Sequence, residues 1–122
     1  MNYLKSIFLF TVCVYCLSSC DITDPKLGHN PPKNLVGTAG IEEAALSWEK
    51  PKNPNLYFSG YHIYMNGTKI EPKITNVTNK KITHTVRGIT AGVKVFYIRA
   101  EYELGLESEP SNTITVIVLP AL

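Results

Sequence analysis

The sequence predicts an all-β sandwich of about seven antiparallel strands, and three observations carry that reading. After the first thirty or so residues no segment sustains a helical period. Short apolar runs recur instead about every ten residues, separated by turn-forming Gly, Pro and Asn. Cys13, Cys16 and Cys20 all lie near the start, so no disulfide can staple the rest of the chain. The fold must stand on its apolar core, and 122 residues allow one modest domain.

The first element is a targeting segment. Lys5 supplies the one charge near the start, and Ile7 to Leu17 then runs eleven residues without a charge. That matches a secretory hydrophobic region and falls short of the roughly 20 apolar residues a spanning helix needs. Leu17-Ser18-Ser19-Cys20 resembles a bacterial lipobox, in which Leu, two small residues and Cys direct lipidation and cleavage before the cysteine. The resemblance implies a signal peptide over residues 1–19 and a diacylglyceryl thioether, with fatty acid, on Cys20. The alternative is an ordinary signal peptide cut near Ser19, which leaves Cys20 as a free thiol in an exported protein. Asp21 to Lys33 is rich in Pro, Gly, Asn and Asp and reads as a tether, with the domain boundary near residue 31.

Strands follow in order. Leu35 to Thr38 is the first. Ala44, Leu46 and Trp48 alternate with Ala45, Ser47 and Glu49, so one face of the second strand is apolar and belongs in the core. Lys50-Pro-Lys-Asn-Pro54 stops it, because proline cannot donate to a ladder. Tyr61, Ile63 and Met65 alternate with His62 and Tyr64, and Asn66-Gly67 then accepts the positive φ angles of a type I′ turn into Thr68 to Ile70. Ile82 to Val86, Val93 to Tyr102 and Thr113 to Leu119 complete the set, leaving residues 119–122 as a tail.

Read together, these residues resemble a family. Pro32 and Leu35, Leu46 and Trp48, the Gly60-Tyr61-x-Ile63-Tyr64 run, Ile89 and Gly92, Ile98-Arg99-Ala100, and Glu107-Ser-Glu-Pro-Ser111 follow the order of a fibronectin type III domain over residues 31–118. The resemblance implies an immunoglobulin-like sandwich of two sheets, ABE and C′CFG. The chain departs from the family in one place. Three residues after Gly92 the family carries a tyrosine that braces the E to F corner, and here Val95 stands there, with the strand one residue short if Ala100 is aligned. Phe96, Ile98 and Ala100 are expected inward, and Tyr97, Arg99 and Glu101 outward.

Little in the domain points to catalysis. Asp21 and Asp24 both lie in the tether, and no Gly-x-Ser-x-Gly elbow, His-Glu-x-x-His, phosphate-cradling glycine loop or later thiol is present. His29 falls in the tether, while His62 and His84 fall on different strands without an adjacent carboxylate pair, so no metal site is expected. Glu101, Glu103, Glu107 and Glu109 crowd one hairpin but are spaced as outward, solvated residues rather than as a calcium loop. Asn66-Gly-Thr68 and Asn76-Val-Thr78 match a glycosylation sequon and are read as turn chemistry. Arg87-Gly88 is followed by Ile89, so integrin attachment through Arg-Gly-Asp is excluded. Without Lys5 the chain has eleven Lys and Arg against ten Asp and Glu, which gives no electrostatic reason to expect nucleic acid.

Two patches remain as candidates. His62 and Tyr64 on strand C should lie beside Tyr97 and Arg99 on strand F, on the outer face of one sheet, and tyrosine and arginine are favoured at binding hot spots. The B to C loop carries Leu56-Tyr57-Phe58 and the F to G loop carries Leu104-Gly105-Leu106, at the end of the domain joined to the tether. A tether of about ten residues reaches at most about 35 Å, so these tips either meet the bilayer or a membrane partner, or tuck Phe58 and Leu104 under the sandwich as a lid. The expectation is a non-catalytic, lipid-anchored module in the cell envelope, outside the cytoplasm, at the outer membrane or cell surface. It needs no cofactor beyond the lipid on Cys20 and recognises a protein or glycan. The rival is a structural spacer or accessory subunit of an envelope complex.

Overall fold

The computed structural model describes residues 28–122, which form two antiparallel sheets facing each other across one core. The strands, in chain order, are β1 (Lys33–Gly40), β2 (Glu43–Glu49), β3 (Gly60–Met65), β4 (Thr68–Ile74), β5 (Lys81–Arg87), β6 (Gly92–Glu101) and β7 (Ile114–Val118). One sheet runs β1-β2-β5 and the other β4-β3-β6-β7. These are the expected ABE and C′CFG sheets. The signal segment, Cys20 and most of the expected tether lie outside the described residues.

Alternation along each strand builds the core. Ala44, Leu46 and Trp48 of β2 are buried, as are Tyr61 and Ile63 of β3 and Phe96, Ile98 and Ala100 of β6. Leu35, Ile82, Val86, Val116 and Val118 close it from the remaining strands, with Met65 half-buried at its margin. Trp48 sits at the centre, fully buried, with the Tyr61 ring edge-on at 5.4 Å and 71°. Such aromatic geometry adds about 0.5–1.5 kcal/mol to the burial itself.

The turns use the chemistry their residues allow. Asn66 and Gly67 take φ of 52° and 83° between β3 and β4, as a type I′ reversal requires. Asn66 also accepts the Val95 N–H on its Oδ1 at 2.9 Å and donates its own N–H to the Val95 carbonyl at 2.8 Å, which fixes the turn against β6. Asn76 accepts from the N–H groups of Thr78 and Asn79, both at 3.2 Å, and caps its own bend. Both sequon asparagines therefore do turn work. Pairing of β3 with β4 shifts between Tyr61 and Ile63, so that Tyr61 faces Ile74 and Ile63 faces Ile70. That bulge follows from Pro72, which has no N–H to give the ladder.

The segment after β6 is held by serine hydroxyls alongside a few backbone bonds, the Ser108 and Ser111 N–H groups donating to the Ala100 and Ile98 carbonyls at 2.8 Å. Ser108 Oγ accepts the Ala100 N–H at 2.9 Å and donates to the Glu109 carbonyl at 2.7 Å. Ser111 Oγ repeats the pattern with the Ile98 N–H at 3.0 Å and the Asn112 carbonyl at 2.9 Å. Pro110 lies between them and breaks a regular ladder, so the two serines satisfy the N–H groups that a continuous β7 would have met. Asn112 then clamps β1, accepting the Leu35 N–H at 2.8 Å and donating to the Leu35 carbonyl at 2.9 Å.

Candidate binding surface

The outer face of the four-stranded sheet gathers the residues that the alternation turns outward. Antiparallel register sets His62 opposite Arg99 and Tyr64 opposite Tyr97 across β3 and β6. Because Tyr61, Ile63, Phe96 and Ile98 point into the core, those four project together on the other side. The Tyr64 and Tyr97 rings stack with centroids 4.9 Å apart and planes 10° from parallel. The Arg99 guanidinium carbon stands 5.6 Å from the Tyr64 centroid and 5.4 Å from that of Tyr97, within cation–π range of both. Arg99 Nη1 donates to the Ser108 carbonyl at 2.7 Å, so the guanidinium is held in place.

Around this aromatic centre run two polar clusters. Glu107 accepts from the Tyr64 hydroxyl at 2.6 Å and pairs with Lys69 Nζ at 2.5 Å. Burial pushes the Glu107 carboxyl up, but Lys69 and Tyr64 together outweigh it and hold the group below the usual carboxylate range. The Tyr64 phenol is raised by burial and by donating to Glu107. Glu101 lies between His62 Nε2, at 2.5 Å, and Lys73 Nζ, at 3.0 Å, and the His62 bond is the main cause of its lowered pKa. Lys73 also donates to Ser59 Oγ at 3.0 Å.

These pairings correct two sequence expectations. His62 has a carboxylate against it, because Glu101, two residues along β6 from Arg99 and on the same face, lies diagonally beside the His62–Arg99 pair. Glu101 and Glu107 are not free solvated residues but half-buried acceptors between β3, β4 and β6. The sequence reading missed Lys69, Lys73 and Ser108. Period two along β4 would have turned both lysines outward, but nothing in sequence gives the pairing across strands. His62 Nδ1 is buried without a hydrogen-bond partner among the described residues, so its second nitrogen does not open to a substrate. Among those residues, no group of three or more His, Cys, Asp or Glu could hold a metal ion.

The loop end resolves the second candidate patch in two directions. Phe58 turns inward, edge-on to Tyr61 at 5.2 Å and 5.6 Å from Tyr102, so it belongs to the margin of the core rather than to an exposed tip. Tyr57 stays 56% exposed beside Leu56 at 85%. Leu104 projects from a short 3₁₀ turn, Glu103–Gly105, and is 95% exposed, with Leu106 at 50%. The chain enters at the same end. Gly28 pairs with Pro54, Asn30 donates from Nδ2 to the Lys52 carbonyl, and His29 Nε2 lies 3.0 Å from Glu103.

Neither a protein family nor a curated protein matches the chain in sequence. Solved structures do match in fold. An Fn3-like protein from Clostridium thermocellum, 21% identical, superposes with a TM-score of 0.51 over 75% of this chain and 94% of its own. The central fibronectin-III array of RIM-binding protein, 14% identical, gives 0.57 over 70% of this chain and 34% of that one. The fold is a fibronectin type III-like β-sandwich. A family 28 exopolygalacturonase from Yersinia enterocolitica, 18% identical, matches with a TM-score of 0.56 over 74% of this chain. This chain spans 20% of that protein's length, so the likeness is to one part of it and is a likeness of fold.

Proposed function

We propose that this fibronectin type III-like domain is a non-catalytic binding module, anchored by lipid on Cys20 outside the cytoplasm, that holds a partner on its C′CFG face. The observation that carries the reading is the Tyr64–Tyr97 stack with Arg99 fixed against both rings. Rigid aromatic and arginine side chains contribute much contact area at little entropic cost, which is why they dominate binding hot spots. Each ring spends one face on the other, so less open aromatic face remains for a sugar to stack on. A protein partner therefore fits better than a glycan. The same face satisfies many of its own polar groups, and this favours, as the second reading, a spacer or accessory subunit in an envelope complex that has no ligand at this surface.

Crosslinking in intact cells separates the two. A photoreactive residue placed at Tyr97 should capture a defined partner, and Arg99→Ser should abolish the capture while the protein remains folded and membrane-associated. An unchanged set of captured proteins in Arg99→Ser, or none from either, rules out recognition through this face.

A further inference from the structure

The end of the sandwich that bears the tether carries a second feature that the binding face does not use. Lys33 begins β1, Lys50 and Lys52 follow β2, Lys80 precedes β5 and Lys81 begins it, so antiparallel topology brings five of the chain's twelve lysines and arginines to one end. They line one shallow depression of about 480 Å³ with Glu49. Glu49 lies between Lys33 and Lys81 in register, and the Lys50 N–H donates to the Lys80 carbonyl at 2.8 Å, which fixes the cluster's backbone. None of the five is in an ion pair with another described residue. Three of the four glutamates of the neighbouring F to G region are engaged, Glu101 with His62 and Lys73, Glu107 with Lys69, and Glu103 with His29, which leaves Glu109 exposed and outside any ion pair among the described residues. Unpaired charge at this end is therefore mainly positive, although the chain as a whole is nearly balanced.

The apolar tips stand at the same end, joined to this cluster through the entering chain: His29 pairs with Glu103, and Asn30 donates to the Lys52 carbonyl. Leu104 holds φ of 57°, a backbone region that favours glycine, and its side chain contributes nothing to the core. Folding alone does not account for a leucine kept there. Leucines projecting beside unpaired lysines match a bilayer surface, where the acyl boundary takes the apolar side chains and anionic headgroups take the ammonium groups.

We propose that this end of the domain docks directly on an anionic phospholipid bilayer, with Leu104, Leu56 and Tyr57 entering the interface and the five lysines meeting the headgroups. The proposal rests on the anchored reading of Cys20 for proximity. Seven residues lie between Cys20 and Gly28, and the eight steps along the chain reach at most about 29 Å. Its own contribution is orientation: the sandwich stands end-on, and the Tyr64–Tyr97 face is turned sideways and left free for a partner.

The test uses the full-length protein, isolated in detergent from its own membranes and reconstituted into vesicles containing brominated lipid. Trp48, fully buried, is the unquenched reference. Leu104→Trp should be quenched in vesicles with one-quarter phosphatidylglycerol, whereas Thr90→Trp, at the opposite end, should not. Replacing Lys33, Lys52, Lys80 and Lys81 with Glu in the Leu104→Trp background should remove the quenching. In the absence of the anchor each lysine is expected to change partitioning about fivefold. Equal quenching at positions 104 and 90, or quenching unaffected by the four reversals, overturns the proposal. Flotation reads the anchor separately. Protein that floats on neutral vesicles without quenching at 104 keeps the anchor and loses the docking, and protein that floats only on anionic vesicles with quenching keeps the docking and loses the anchor.

Discussion

Tyr102 donates its hydroxyl to the carbonyl of Asn30 at 2.7 Å, tying the residue that follows β6 to the residues that lead into the domain. Burial pushes the phenol up to about 12, so it stays a neutral donor at any physiological pH. The His29 ring lies over the same tyrosine at 4.8 Å. The missing brace at Val95 thus has a counterpart of another kind at the opposite end of the strand.

Tyr102→Phe removes that bond and keeps the ring. It should cost about 0.5–1.5 kcal/mol in denaturant unfolding and speed hydrogen exchange at the Asn55 amide, which donates to Gly28 at 3.1 Å. Unchanged exchange at Asn55 would mean that residues 28–30 are held without the hydroxyl.

Ser108→Ala and Ser111→Ala each leave a buried strand N–H, of Ala100 or Ile98, without its side-chain acceptor. Each should cost about 1–3 kcal/mol, the range for an unsatisfied buried group. The two serines also anchor the β6 to β7 connection, so the double variant should lose at least the sum. A loss under about 0.5 kcal/mol in both singles would show that water or a backbone shift replaces them.

Acid should loosen the C′CFG face. Glu101 and Glu107 have folded-state pKa values below the ordinary 4.5. As pH falls the unfolded chain therefore takes up protons first, and the stability these groups contribute is complete above about pH 4.5 and lost as pH drops through their folded values. Glu107→Gln keeps an acceptor for Tyr64 but no longer titrates. It should flatten the fall in melting temperature between pH 5 and 3, and an unchanged slope would place the acid sensitivity elsewhere.

Folding and surface roles separate by substitution. Trp48→Ala should cost about 3–5 kcal/mol, as large cavities at core aromatics do, whereas Tyr97→Ser gives up a half-exposed stacked pair worth about 0.5–1.5 kcal/mol. Leu104→Asn should gain about 1 kcal/mol, because Asn tolerates the left-handed backbone that leucine resists. Destabilisation by Leu104→Asn would mean that this side chain packs in solution.

Much of the fold was legible because period-two burial is a local signal. Trp48, Ile63 and Ile98 are inward for the reason their neighbours are polar, and the Tyr64–Tyr97 juxtaposition followed once β3 and β6 were taken as partners. What sequence could not give was the pairing of long polar side chains across strands. Glu101 reaching His62 and Lys73 depends on register and on the bulge around Pro72, neither of which leaves a mark within one strand. The lysine cluster was hidden differently. Its members are spread over nearly fifty residues and meet only because strand ends coincide, while total charge averages them away. Phe58 and Leu104, equivalent as apolar loop residues, part company because Tyr61 and Tyr102 offer a seat to one and nothing to the other.

The anchored arrangement is tested most directly by the intact mass of the protein extracted from its own membranes. The expected mass is that of a mature chain beginning at Cys20 and carrying diacylglycerol with fatty acid. A mass corresponding to residues 1–122 intact, or to a chain with a bare thiol at Cys20, contradicts it.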